Sequence, residues 1–272
     1  MAEGDSGDRS RPRAVHRQRA YALRFDWGPF GAAAITDGCD VAVVVDVLSF
    51  TTTLTVAADR GVAVFPFRSR DRRAGKFAAA RDATLAVGRA DARPGQVSLS
   101  PHSVRTAAAL DRLVLPSPNG SAISAQLART APLVMGVSLR NRGAAAGWLL
   151  ALRQRRPDAR IAVVAAGERW PDESLRPSVE DQWGAGSLID LLRIADWPDI
   201  SPEAHAAAAT FQALDGAVTA ALANCASGRE LIEIGYPQDV RIAAELDGSV
   251  AVPVLHNDAF TPAGPPGVSG RR

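Results

Sequence analysis

Short apolar runs punctuate this chain at regular intervals: "VAVVVD", "VAVFPF", "ATLAV", "RLVLP", "PLVMGV", "RIAVVAA" and, near the end, "VAVPVL". Each is five to seven residues long, and the first, with four valines, reads as a strand buried on both faces. Between the runs lie Ala-rich segments of helical periodicity. That alternation predicts βαβ units: an α/β fold with a mainly parallel or mixed sheet and helices on both faces, three layers in all. The folded part is expected over residues 21–260, as one domain or two lobes. "MAEGDSGDRSRPRAVHRQR" and "TPAGPPGVSGRR" hold too few large apolar residues to order themselves, so residues 1–20 and 261–272 are expected to be disordered tails.

Composition narrows the class without changing this picture. The 272 residues are 47% hydrophobic and 22% charged, as in an ordinary globular protein. The formal charge of +2 owes much to the tails, since residues 1–20 carry five Arg against three acids and the chain ends on Arg271 and Arg272. The body is close to neutral, which gives no electrostatic case for nucleic acid or an anionic membrane as partner. Cys39 and Cys225 show neither metal-ligand spacing nor a disulfide framework. With no apolar leader and no run of about 18 apolar residues, the expected location is the cytoplasm.

In open α/β sheets ligands bind outside the carboxyl ends of the strands, so the chemistry should follow the apolar runs. After "VAVVV" comes "DVLSFTTT"; after "RLVL", "PSPNGSA"; after "LVMGV", "SLRN"; after "IAVVAAG", "ERWPDESLRPSVEDQWGAG". Each has a plain structural explanation. Ser49 or Thr51 can cap a helix over residues 52–59, "PNGS" can be a turn, and "SVED" fits a capping box. Asp46 resists such an explanation, because a carboxylate at the end of a buried strand needs something to offset its desolvation. Gly120, Gly184 and Gly186 sit where helices are expected to start and amides attract phosphate. Asp46, Glu180 and Asp181 are hard oxygen ligands of the kind that hold Mg²⁺. Together these suggest metal-assisted phosphoryl chemistry.

The motifs "DVLSFTTTL", "PNGSA", "SLRN", "AAG…VEDQWGAG" and "ASGRELIEIGYPQDVRIAAELDGSVAVPVL" resemble, in order, those of the 2-phosphosulfolactate phosphatase family. The resemblance implies a phosphoric monoester hydrolase that uses Mg²⁺ to hydrolyse the phosphate ester of a small 2-hydroxy acid, and it leaves a homodimer open. It places Asp46, Thr51, Thr52, Asn119 and Asn141 among the catalytic residues, and Asp46, Glu180 and Asp181 around the metal. Ser49, Gly120, Ser121, Arg140, Gly167 and Gly186 would contact the phosphorylated substrate. Three positions depart from the family pattern: Ser49 stands where the family has Arg, Arg89 where it has Glu, and Leu99 where it has Asn. Arg89 and Arg140 are the candidates to supply the cation missing at Ser49. The departures also permit a second reading, a non-catalytic binder of a phosphorylated or sulfonated metabolite. A haloacid-dehalogenase type of aspartyl-phosphate route would want a second Asp two positions after Asp46, where this chain has Leu48.

Overall fold

The computed structural model describes residues 13–69 and 71–266. Its strands are β1 (Leu23–Trp27), β2 (Val41–Val45), β3 (Ala63–Phe67), β4 (Thr84–Leu85), β5 (Arg112–Pro116), β6 (Val134–Val137), β7 (Ile161–Ala165), β8 (Glu168–Arg169), β9 (Leu175–Arg176), β10 (Pro253–His256) and β11 (Ala259–Pro262). The helices are α1 (Gly28–Ile35), α2 (Phe50–Asp59), α3 (Arg72–Ala79), α4 (Pro101–Thr106), α5 (Gly120–Leu127), α6 (Arg142–Arg155), α7 (Val179–Ile194), α8 (Pro202–Gln212), α9 (Val218–Asn224), α10 (Ala226–Glu233) and α11 (Pro237–Ala243).

Nine strands form one mixed sheet in the order β1-β7-β2-β6-β10-β11-β3-β5-β4. It consists of two parallel blocks, β1-β7-β2-β6 and β3-β5-β4, joined through the antiparallel hairpin β10–β11. All seven apolar runs contribute a strand to it. Alternation within β2 shows how the layers form. Val41, Val43 and Val45 face the layer of α6, α7 and α8, while Ala42 and Val44 face the layer of α1, α2 and α5. All five are at most 1% exposed, so the run is apolar throughout because both faces are covered. A third, small cluster joins Phe65, Val114 and Ala259 to Ala78 of α3.

The helix after β2 packs on one face of the sheet, and the helices after its neighbours β6 and β7 pack on the other. Such a reversal opens a crevice at the carboxyl ends of the strands, with Asp46 at its edge.

Two strands of the sheet lie outside the apolar runs. β1 carries Arg24 at its second position, 1% exposed, whose guanidinium donates to the carbonyls of Tyr21, Ile35 and Asp37 and so satisfies the end of α1. β11, "AFTP", is joined to β10 by a two-residue turn with positive φ at Asn257 and Asp258. The boundaries drawn for the tails also shift. Ala14–Arg17 forms a 3-10 turn, the buried Gln18 donates to the Phe25 carbonyl at 2.8 Å, and β11 runs to Pro262. Gln18 docked on β1, with Arg17 and Arg19 paired to Asp37 and Arg160 donating to the Arg19 carbonyl, holds a segment whose composition suggested no order. Residues 1–12 and 267–272, the outer parts of both expected tails, lie outside the described residues.

Candidate active site

Asp46 follows β2 directly, and the backbone fixes its carboxylate from two sides. One oxygen accepts the Phe50 N–H at 3.1 Å and the other the Gly120 N–H at 2.9 Å. These are the first amides of α2 and α5, so the carboxylate sits between two helix N-termini, where the dipoles favour negative charge. The start of α5 at Gly120, expected to hold phosphate, therefore holds Asp46. The caps proposed at Ser49 and Thr51 do not form: the Ser49 side chain makes no capping bond, and Asp46 takes that place. Gly120 is required by proximity, since a Cβ there would lie 2.3 Å from the Phe50 ring and 2.7 Å from Asp46 Oδ2.

Asp181, in the first turn of α7, answers Asp46 from the other helical layer. Its two oxygens accept the N–H groups of Val47 at 2.7 Å and Gly167 at 2.9 Å. It thereby ties the loop after β2 to the loop after β7. No capping box forms at Ser178, because Asp181 is spent on these longer-range bonds. Gly167 lies at φ +65, a conformation open to glycine at little cost, and a Cβ there would meet Leu175 at 2.7 Å. Burial raises the Asp46 carboxyl to about 7; Glu168 and Glu180 add repulsion, opposed by the two N–H bonds. Burial, then Asp46 and Glu180, holds the Asp181 carboxyl well above the usual range. Glu180 lies beside Cys225, whose thiol is pushed up to about 12 by burial and by that neighbour. Among the described residues none of Asp46, Glu168, Glu180 and Asp181 has an Arg, Lys or His salt-bridge partner.

A cleft of about 160 Å³ opens at Asp46, lined by Leu48, Ser49, Phe50, Arg89, Leu99, Leu115, Ser117, Pro118, Asn119 and Glu168. Arg89 closes its far side. The Arg89 Nη2 donates to Ser49 Oγ at 2.6 Å and its Nε to Asp239 at 2.9 Å, with Asp239 fully buried and held in turn by Ser100 Oγ at 2.5 Å. The guanidinium thus lies at Ser49, the position where the resemblance called for a cation. Arg140 does not reach the cleft. It is 3% exposed and bound to Thr55, Asp59, Glu245 and the Gly248 carbonyl, which fastens α2 to the loop after α11.

Several expected site residues lie behind the cleft rather than in it. The Thr51 hydroxyl donates to the Asp46 carbonyl at 2.7 Å and accepts the Asp46 N–H, Thr52 donates to the Val47 carbonyl, and Ser121 donates to the Leu115 carbonyl. Each is fully buried and pins a loop that carries a cleft residue. Asn141 accepts the Ser138 N–H and donates to the carbonyls of Gly136 and Ala251, closing a capping box. Gly184 and Gly186 lie in the second turn of α7. Their bare Cα atoms admit Val47 and the Ala207 carbonyl; a Cβ on Gly186 would stand 2.0 Å from that carbonyl oxygen. Small residues at a helix contact and at a phosphate site look alike in sequence. Asp46, Ser49, Asn119 and Glu168 are brought together. Glu168 carried the same signal as Asp46, a carboxylate following an apolar run, with one glycine between.

The site and fold define an α/β protein with a carboxylate-bearing crevice at the carboxyl ends of its parallel strands. A family profile described as 2-phosphosulpholactate phosphatase matches residues 32–258. Relatives named "Probable 2-phosphosulfolactate phosphatase" match over most of the chain. The one from Prochlorococcus marinus (strain MIT 9303) is 32% identical over 82% of this chain and 93% of its own. Those from Thermus thermophilus and Deinococcus radiodurans are each 30% identical, over 79% and 83% of this chain and 88% and 91% of theirs. The chain belongs to the 2-phosphosulfolactate phosphatase family. No helix among the described residues is long and apolar enough to cross a membrane.

Proposed function

We propose that this protein is a Mg²⁺-dependent phosphatase that hydrolyses the phosphate ester of a small 2-hydroxy acid, 2-phosphosulfolactate or a close relative, to inorganic phosphate and the free acid. The observation that carries this reading is the pairing across one cleft of two carboxylates, Asp46 and Glu168, with a fixed guanidinium, Arg89. The carboxylates fit a divalent cation: they are buried or half-buried, free of salt bridges among the described residues, and mutually repelling. Among the described residues no three His, Cys, Asp or Glu are grouped as a metal site, so Asp46, Glu180 and Asp181 do not form the expected ligand set, with Asp181 bound to backbone amides and Glu180 beside Cys225; Mg²⁺ takes as few as one or two carboxylates and completes its shell with phosphate and water. Asp46 and Glu168 would hold it. When bound, the ion would polarise the phosphoryl group and lower the pKa of the attacking water.

Phosphoryl transfer needs positioning and charge neutralisation more than covalent help. Arg89 supplies an anion-binding fork whose direction is set by Asp239 and Ser49, so little ordering is left to do when substrate arrives. The Asn119 side chain makes no hydrogen bond within the described residues and is available to the ester or the acid group. Asp181 acts through others: by bonding Val47 and Gly167 it sets the spacing of the loops that carry Asp46 and Glu168. The test is phosphate release from 2-phosphosulfolactate and 2-phospholactate, with Mg²⁺ and with EDTA. Turnover that needs the ion supports the proposal. Ligand-induced thermal stabilisation without release of phosphate would make the protein a binder instead.

A further inference from the structure

A second chamber of about 560 Å³ adjoins the cleft, and Leu48, Arg89 and Glu168 line both. The cleft alone is smaller than the roughly 300–1,000 Å³ usual for small-molecule sites, and cleft and chamber together fall inside that range. The β8–β9 hairpin forms one wall and α10 the other. Its lining mixes apolar and charged side chains, the carboxylates of Glu168 and Glu230 among the latter. Trp170, 52% exposed, and Ile234, 58% exposed, join Leu48 and Leu231 in an apolar lining. Three guanidiniums lie among them. Arg89 is neutralised by Asp239 and Arg169 by Glu173 at 3.0 Å. Arg176 has no salt bridge among the described residues; it donates to Ser227 Oγ at 3.1 Å and lies 5.8 Å from the Trp170 ring centre. In the hairpin Arg176 stands opposite Glu168, so the two share a face and the chamber continues the cleft without a break.

We propose that the substrate extends through this chamber: a phosphorylated 2-hydroxy acid whose carbon body carries an aromatic or similarly broad apolar group ending in an anion, the ring lying along Trp170 and the anion on Arg176. This rests on the phosphatase reading above and names the substrate class for the same site. An aromatic ring matches the exposed indole and the two leucines, and a carboxylate can take charge-assisted hydrogen bonds from Arg176, which makes no salt bridge among the described residues, with Glu168 engaged by the metal on the reading above.

The experiment compares 2-phospholactate with 2-phospho-3-(4-carboxyphenyl)lactate in the full-length protein with Mg²⁺, as wild type, Arg176→Gln and Ala226→Trp, the last adding an indole to the chamber wall. The expected result is a kcat/KM at least tenfold higher for the aryl ester in the wild type, with that ratio falling toward one in both variants. The same three proteins are titrated by calorimetry with the non-hydrolysable phosphonates of both compounds, which separates the two readings. Tighter binding of the aryl phosphonate, lost in Ala226→Trp, without hydrolysis of either ester would sustain the chamber and overturn the phosphatase. Equal or weaker use and binding of the aryl compound would overturn the chamber whatever the turnover. So would a dimer, seen by sedimentation, that Ala226→Trp dissociates while leaving the ratio unmoved, because the face would then belong to a second copy.

Discussion

Replacing Arg89 with Met removes a cation from a buried partner, and the structure sets the size of the loss. Asp239 is fully buried and Arg89 17% exposed, so neither charge is well solvated. Removing one member of a buried pair costs roughly 3–5 kcal/mol, because the other charge is left uncompensated. The lower end applies: Asp239 keeps the Ser100 hydroxyl and a long contact from the His102 N–H, and Arg89 is partly wetted. About 3 kcal/mol is expected, or a Tm lower by roughly 6–12 °C for a domain of this size. Adding Asp239→Leu removes the orphaned charge, so the double variant should recover most of the loss. Denaturant unfolding of wild type, both single variants and the double variant, followed by circular dichroism, measures the coupling directly. A loss below about 1 kcal/mol in Arg89→Met, or single effects that add within about 0.5 kcal/mol, would mean that Asp239 does not hold Arg89.

Gly186→Ala drives a Cβ into the Ala207 carbonyl of α8 and should destabilise by about 1–3 kcal/mol while leaving the Mg²⁺ needed for half-maximal rate unchanged; a shifted titration at unchanged stability would put Gly186 in the site. The pH dependence follows from the raised Asp46 and Asp181 carboxyls. The native metal-free protein keeps protons that the unfolded chain releases near pH 4, so its stability should fall as pH rises from about 4 to 7, and a stability that climbs over that range would contradict the burial of these groups. Mg²⁺ should accordingly raise Tm more at pH 8 than at pH 5. Ser49→Arg sets a second guanidinium against Arg89 and should lower both stability and activity; unchanged stability would show that positions 49 and 89 do not interact.

Fold class was legible because β2, β6 and β7 are covered on both sides and therefore apolar throughout. β1 escaped notice because the helix end beside it is satisfied by an arginine inside the strand. At the site, sequence identified Asp46 through the cost of burying a carboxylate, and the geometry showed what offsets that cost: two amides rather than a cation. The hydroxyls of Thr51, Thr52 and Ser121 were legible as polar groups near the site but not in direction, since a Thr hydroxyl turned to a carbonyl and one turned to a ligand occupy the same place in a motif. Arg89 is the clearest case. Along the chain it is a departure 40 residues from Ser49, and only the packing of the loop after β4 against α2 brings its guanidinium to 2.6 Å from that serine.

On the reading proposed here, Asp46 serves phosphate-ester hydrolysis in this cleft. Phosphate release from 2-phosphosulfolactate, titrated with Mg²⁺ in wild type and Asp46→Asn and normalised to folded protein, tests it most directly. Saturable Mg²⁺-dependent release is expected in the wild type and less than about a hundredth of it in the variant, a loss of more than roughly 2.7 kcal/mol in transition-state stabilisation. A folded Asp46→Asn protein that keeps more than about a tenth of the wild-type rate would contradict it.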